Sequence, residues 1–263
     1  PDITQSLLVD VQEITSTSFG AFAARLASGK VVVWGAPEFG GKITDSEIQR
    51  KLDSGVRKVY ATSVAFAAIL DSGSVVAWGA NDFEGKETIA SGTDEIPTLV
   101  NVRTFFTTQT TFIALLDDGK IIGFGGDIIV PEDLQQGIVG GGVRMVTPLK
   151  QHTGKMGNRN DIGIYSIAFA ALLNDGTVRA FGGEGPGCRL RSDPHCYIEK
   201  LSPNGKCNSP NSITQQQLIN AKEVFATEGA FAALKTDGTV VVWGDREFGG
   251  LIPEKDYSSA PAE

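Results

Sequence analysis

The stretch FAAILDSGSVVAW, Phe66 to Trp78, constrains this chain more than any other, because the same unit occurs five times. The copies run from Phe22 to Trp34, Phe66 to Trp78, Phe112 to Phe124, Phe169 to Phe181 and Phe231 to Trp243. Their opening and closing aromatics are always twelve positions apart. Seven positions after each opening aromatic stands a glycine: Gly29, Gly73, Gly119, Gly176 or Gly238. Another glycine follows each closing aromatic, at Gly35, Gly79, Gly125, Gly182 and Gly244. Self-similarity at a regular spacing marks a repeat architecture, in which each small unit buries its faces against its neighbours.

Each unit reads as a β-hairpin. The apolar run AFAAIL leads into Ser72-Gly73 and then into SVVAWG. A Ser-Gly or Asp-Gly pair between two such runs predicts a tight two-residue turn, because glycine accepts the positive φ that the turn requires. In the first strand Phe66, Ala68 and Leu70 alternate with Ala67 and Ile69, so both faces are apolar. Such a strand is predicted to be covered on both sides, as in small sheets stacked face to face, with the alanines where sheets approach closely.

Between hairpins, Asp45 or Thr44 is placed to cap a short helix whose Ile48 and Leu52 share one face. Strands led by Val11 and Val56 follow the linkers PDITQSLL and TDSEIQRKL, so the chain is read as starting within a repeat. The N-terminal segment is expected to complete the last sheet and close a ring. Successive closing aromatics are 44, 46, 57 and 62 residues apart. The longer steps place two inserts, at about 126–161 and 183–221, in a single domain spanning 1–263 with an acidic tail over 251–263. The first insert carries the basic stretch Lys150 to Arg159.

Charge narrows the partners. A net charge of −8 opposes nucleic-acid binding, which draws its affinity from Lys and Arg on phosphates. It is compatible with a basic protein partner. No apolar run approaches the roughly 20 residues that span a bilayer, so direct membrane insertion is not expected. No signal-peptide pattern is visible, and the start at Pro1 suggests a trimmed product.

Little here points to chemistry. The two histidines, His152 and His195, both fall in the inserts, no GxSxG elbow is present, and the glycines sit at turns rather than in a phosphate loop. No catalytic residues, cofactor or metal are therefore predicted, and the chain is not read as an enzyme. Cys188, Cys196 and Cys207 cluster beside His195. One disulfide among the three cysteines, a zinc site with His195, or three free thiols all fit this spacing. A disulfide would place the protein in an oxidising compartment, secreted or in an organelle lumen.

The loops after the hairpins, APEFGG, ANDFEG and DREFGG, carry an acid and an aromatic at equivalent places. These are Glu38 and Phe39, Asp82 and Phe83, and Glu247 and Phe248, with Asp245 beside the last pair and Asp127 and Glu184 after the other hairpins. On one face they would anchor a protein partner. The alternative is that each phenylalanine packs under the neighbouring unit.

The pattern AFAALxxDGxVxxWG, best seen over residues 230–244, resembles the regulator-of-chromosome-condensation (RCC1) repeat. It is also similar to a short-repeat branch that includes bacterial β-lactamase-inhibitory propellers. The resemblance implies an all-β propeller, here of five blades with three to four antiparallel strands and two inserted loops. The family's usual Asn and Gln-Leu-Gly after Trp-Gly are replaced by the acidic loops. The function implied is a non-enzymatic protein–protein interaction module or an accessory subunit of a larger assembly. Guanine nucleotide exchange on a small GTPase is an alternative, as is a secreted lectin or enzyme-inhibitor propeller.

Overall fold

The computed structural model describes residues 5–80, 88–90, 99–126, 128, 130–137, 140–150, 168–182, 217–244 and 248–250. Five antiparallel sheets follow one another along the chain as the blades of a β-propeller. Blade 1 holds β1 (Val11–Ser16), β2 (Ala21–Leu26) and β3 (Val31–Gly35). Blade 2 holds β4 (Val56–Ala61), β5 (Ala65–Leu70), β6 (Val75–Ala80) and a fourth strand, β7 (Thr88–Ala90). Blade 3 holds β8 (Val102–Thr107), β9 (Phe112–Leu116) and β10 (Ile121–Phe124). Blade 4 holds β11 (Val143–Pro148), β12 (Ala168–Leu173) and β13 (Val178–Gly182). Blade 5 holds β14 (Ala221–Ala226), β15 (Ala230–Lys235) and β16 (Val240–Gly244). No described helix is long and apolar enough to cross a membrane.

The step of twelve has a direct structural meaning. It sets the two aromatics opposite each other in register, as in Phe66↔Trp78 and Phe231↔Trp243. Their rings stack with centroids 5.2 to 5.5 Å apart in all five blades. The middle strands of blades 2 to 4 are covered on both faces, and Ala65, Phe66, Ala67, Ala68 and Ile69 are fully buried. The core is a series of layers between successive sheets rather than one central body.

The hairpin turn differs from the two-residue form expected. Gly73 N–H donates to the Leu70 carbonyl, and Leu70 N–H to Ser74, so the loop has three residues ending in a left-handed glycine. Only that glycine has positive φ, 78° to 85° in all five turns, whereas a type I′ pair needs two such residues. The residue before it explains the recurring Ser or Asp. Its side-chain oxygen accepts from the N–H just beyond the glycine, in Ser28–Lys30, Ser72–Ser74, Asp118–Lys120, Asp175–Thr177 and Asp237–Thr239.

Blades are joined by one repeated device. The turn glycine's carbonyl accepts from the first N–H of the next blade: Gly29 from Val56, Gly73 from Val102, Gly119 from Val143 and Gly176 from Ala221, at 2.8 to 3.0 Å. The residue before each first strand is left-handed: Asp10, Gly55, Asn101, Gly142 and Asn220 have φ between 56° and 90°. Its carbonyl accepts from the opening residue of its own blade's turn, for example Asp71 N–H to Gly55. Asp, Asn and Gly tolerate that conformation best.

The linker helix α1 (Ser46–Leu52) is capped by Asp45, whose carboxylate accepts from Glu47 and Ile48 N–H at 2.7 and 3.1 Å. Its Ile48 and Leu52 are buried in the core. The stretch 126–161 is not one insert, because β11 divides it. One part leads down to β11, and the other, 149–167, lies between the first two strands of blade 4. Among the described residues the N-terminal segment does not complete the last sheet: β1 pairs only with β2, and blade 5 is built from β14, β15 and β16.

Candidate functional site

The meander order places two kinds of loop at the same end of every blade: the connection from first to second strand, and the chain leaving the third strand. First strands touch first strands from blade to blade, so their connections meet around the centre. In blades 1, 2 and 5 the inner loop is shaped by a threonine. Thr62 Oγ1 accepts from Val64 and Ala65 N–H at 3.2 and 3.0 Å, and Thr227 Oγ1 from Ala230 N–H at 3.0 Å. Thr17 Oγ1 does the same for Ala21 N–H at 3.1 Å.

Neighbouring inner loops are then tied to each other. Phe19 N–H donates to Ser63 O, Ser63 N–H to Gln109 O at 2.7 Å, and Lys150 N–H to Thr227 O at 2.9 Å. The end that gathers the loops is therefore cross-linked through backbone rather than through long side chains.

Glu38, Phe39 and Phe248 are the candidate partner-binding residues that lie among those described. Glu38 is exposed in the first turn of a short 3-10 segment, Pro37–Phe39. Phe39 is only 8% exposed; it packs on Phe19 at 5.0 Å and joins the core between blades 1 and 2. The next residue, Gly40, turns with φ 93°, and its carbonyl accepts from Trp78 Nε1–H at 3.2 Å. A Cβ there would lie 2.8 Å from the Phe66 ring, so glycine is needed for the close approach. Phe39 thus fixes the loop, and Glu38 is what it presents. Phe248, at the equivalent place in blade 5, is 39% exposed, and its carbonyl accepts from Thr227 Oγ1–H at 2.8 Å. Asp82, Phe83, Asp127, Glu184, Asp245, Glu247, Cys188, Cys196 and Cys207 lie outside the described residues.

The opposite end carries a charge pattern that the linear sequence hides. Every first strand has a register shift at its second residue: Gln12, Arg57, Arg103, Arg144 and Lys222. All five side chains are exposed, and four are cationic. Arg57 donates to Val102 O at 2.8 Å and Arg144 to Lys222 O at 2.6 Å, each reaching the next blade's first strand. Among the described residues none of the four cations is in an ion pair. Their members are far apart in sequence, and only the recurring bulge aligns them. The signal that could have found them is a basic residue directly after the leading residue of four first strands.

Two carboxylates at the turn end are held below the usual range. Asp118 is lowered chiefly by its hydrogen bond to the Lys120 ammonium, and Asp237 by those to the Thr239 hydroxyl and N–H. Both shifts come from the local turn.

No family model matches the chain, and no curated protein matches it in sequence. Solved structures do. Yeast RCC1 (Prp20), solved bound to Kap60, shares 17% identity with a TM-score of 0.43, over 94% of this chain and 59% of that one. Human WBSCR16 shares 19% with a TM-score of 0.45, over 91% and 63%. Prp20p from Saccharomyces cerevisiae, in a structure whose description concerns its binding to Gsp1p and histones, shares 15% with a TM-score of 0.45, over 94% and 61%. The chain resembles the RCC1-like repeat proteins. It spans less than two thirds of the length of these three structures.

Proposed function

We propose that this chain is a non-enzymatic protein-binding propeller that presents the loops of one end to a protein partner, as a recognition module or a fixed subunit of an assembly. The observation that carries this reading is the backbone cross-linking of the inner loops, Phe19 to Ser63 and Ser63 to Gln109. Loops already held in place lose little conformational freedom on binding, so the contacts they make are expressed as affinity. Glu38, Asp82, Asp127, Glu184, Asp245 and Glu247 supply the acidic character of that end. Phe83 and Phe248 supply apolar anchors, and Phe39 holds its loop in place.

The test is gentle purification from the native source, followed by mass spectrometry of whatever co-elutes. A stoichiometric protein companion, lost when Glu38, Asp82 and Glu247 are each changed to Lys, is the expected result. A chain that accelerates nucleotide release from a co-purified GTPase would replace this reading with exchange activity. A retained saccharide would replace it with a lectin.

The row of bulge cations favours a second docking surface, for an acidic segment of the partner. Arg103→Glu with Lys222→Glu weakens partner binding and flattens its salt dependence if that surface is used. Unchanged affinity limits docking to the loop end.

A further inference from the structure

Of the four pairs of neighbouring first strands, β4 and β8 are the most cationic. VRKVYA and VRTFFT carry Arg57, Lys58 and Arg103 and no carboxylate. By contrast, β1 and β14 each place a glutamate, Glu13 or Glu223, one residue after the bulge. Three cations are thus gathered at one joint in the middle of a chain whose net charge is −8.

Two contacts hold these strands against each other. Arg57 Nη2–H donates to Val102 O at 2.8 Å, and the Tyr60 and Thr104 hydroxyls share a hydrogen bond of 2.9 Å. The first contact sets the Arg57 guanidinium on the peptide that leads into Arg103. A guanidinium has five N–H donors, and that bond uses one of them. Lys58 Nζ lies 5.1 Å from the Tyr60 ring centroid, a contact that leaves its positive charge in place. All three cations are exposed, and none is in an ion pair among the described residues. Asp71 and Asp117, whose N–H groups bond Gly55 O and Asn101 O just before these strands, are exposed and pair with none of the three. Like charges gathered without a counter-ion repel one another, and an anion of matching charge relieves that repulsion.

We propose that the joint of blades 2 and 3 binds a phosphoryl group carried on a serine or threonine of the protein partner, with Arg57, Lys58 and Arg103 as its ligands. This rests on the reading of the bulge cations as a docking surface and names the group that surface takes. A phosphate monoester carries about −1.5 to −2 charge at neutral pH and three acceptor oxygens, so it meets all three cations at once. A carboxylate brings a single charge and leaves part of the repulsion standing. A nucleic acid or an anionic membrane extends past these residues, over a surface whose net charge repels it. One phosphoryl group meets only the cations.

The test is fluorescence anisotropy of the full chain with three degenerate peptide pools that differ only at a fixed central residue: phosphothreonine, threonine or glutamate. The phosphothreonine pool is expected to bind about tenfold or more tighter than the other two. Arg103→Gln and Lys58→Gln should each weaken that binding about tenfold, since each removes a charge-assisted hydrogen bond. Arg50→Gln, which removes an exposed cation from α1, should leave it unchanged. Circular dichroism of each variant keeps loss of folding distinct from loss of binding. Three results overturn the inference: equal binding of the phosphothreonine and threonine pools, equal binding of the glutamate pool, or full affinity in Arg103→Gln. Retention on vesicles of phosphatidylcholine with phosphatidylserine, lost in Arg103→Gln, would overturn it in favour of a lipid surface. Partner capture from the native source separates the two readings. Capture that persists after phosphatase treatment sinks this inference and leaves partner binding standing; a bound phosphothreonine pool with no captured protein does the reverse.

Discussion

Blades 2 and 5 carry nearly the same hairpin and experience different surroundings. In blade 2 every residue from Ala65 to Ile69 is buried, because sheets lie against both faces. In blade 5 the third strand carries the same apolar VVVWG as blade 1, yet Val240 is exposed where Val31 is not. The equivalent loops diverge as well: Phe39 is packed in the core between blades 1 and 2, whereas Phe248 is 39% exposed. Burial in this architecture is a property of the joint between blades, and the hairpin by itself supplies only half of it.

Substitutions at equivalent positions can break that comparison. The largest difference is expected between Phe66→Ala and Phe22→Ala. The first removes a fully buried ring and should cost about 3–5 kcal/mol. The second removes a partly exposed ring and should cost roughly half of that. Urea denaturation with unchanged slope measures both, and equal losses would show that blade 1 is covered in solution.

Next come the turn glycines. Gly119→Ala and Gly238→Ala both force a side chain into a left-handed position, at about 1–2 kcal/mol. Only at Gly119 would the new Cβ also lie 2.9 Å from the Gly142 Cα of the next blade. Gly119→Ala should therefore lower the denaturation midpoint clearly further, and an equal effect would argue against the blade joint described.

A smaller effect separates the loop threonines. Thr62 is buried, so Thr62→Val leaves the Val64 and Ala65 N–H groups without a partner, at about 1–3 kcal/mol. Thr227 is exposed, water can replace its hydroxyl, and Thr227→Val should cost about 0.5 kcal/mol. Amide exchange should accelerate strongly at Ala65 and little at Ala230; the opposite order would refute the assignment.

The smallest effect is with pH, and it should have the same sign in inner and end blades. Asp118 and Asp237 have folded-state pKa values below their ordinary ones. Each therefore stabilises the fold above the unfolded carboxylate pKa, and this contribution is lost as pH falls through the lowered value. Amide resonances of Lys120 and Thr239 should each titrate below a model aspartate. A midpoint at or above it in either would refute the turn hydrogen bonds as the cause.

Much of the repeat is written in local pattern. The step of twelve fixes which aromatics face each other, and alternating apolar residues on both faces require covering sheets, so blade number and strand pairing follow from residues close in sequence. The Asp45 cap with Ile48 and Leu52 is equally local. The hairpin turn is one residue longer than the sequence suggests, because Ser-Gly suits both a two-residue loop with two positive-φ residues and a three-residue loop with one.

What tertiary structure decided depends on residues in different repeats. Arg57, Arg103, Arg144 and Lys222 become one row only when successive first strands stand side by side with the same bulge. Phe39 and Phe248 have the same neighbours in sequence, and packing between blades 1 and 2 buries the first while the second stays partly exposed. Sequence sets what each face is made of; contact between distant segments decides which faces are covered, and it is there that partners can bind.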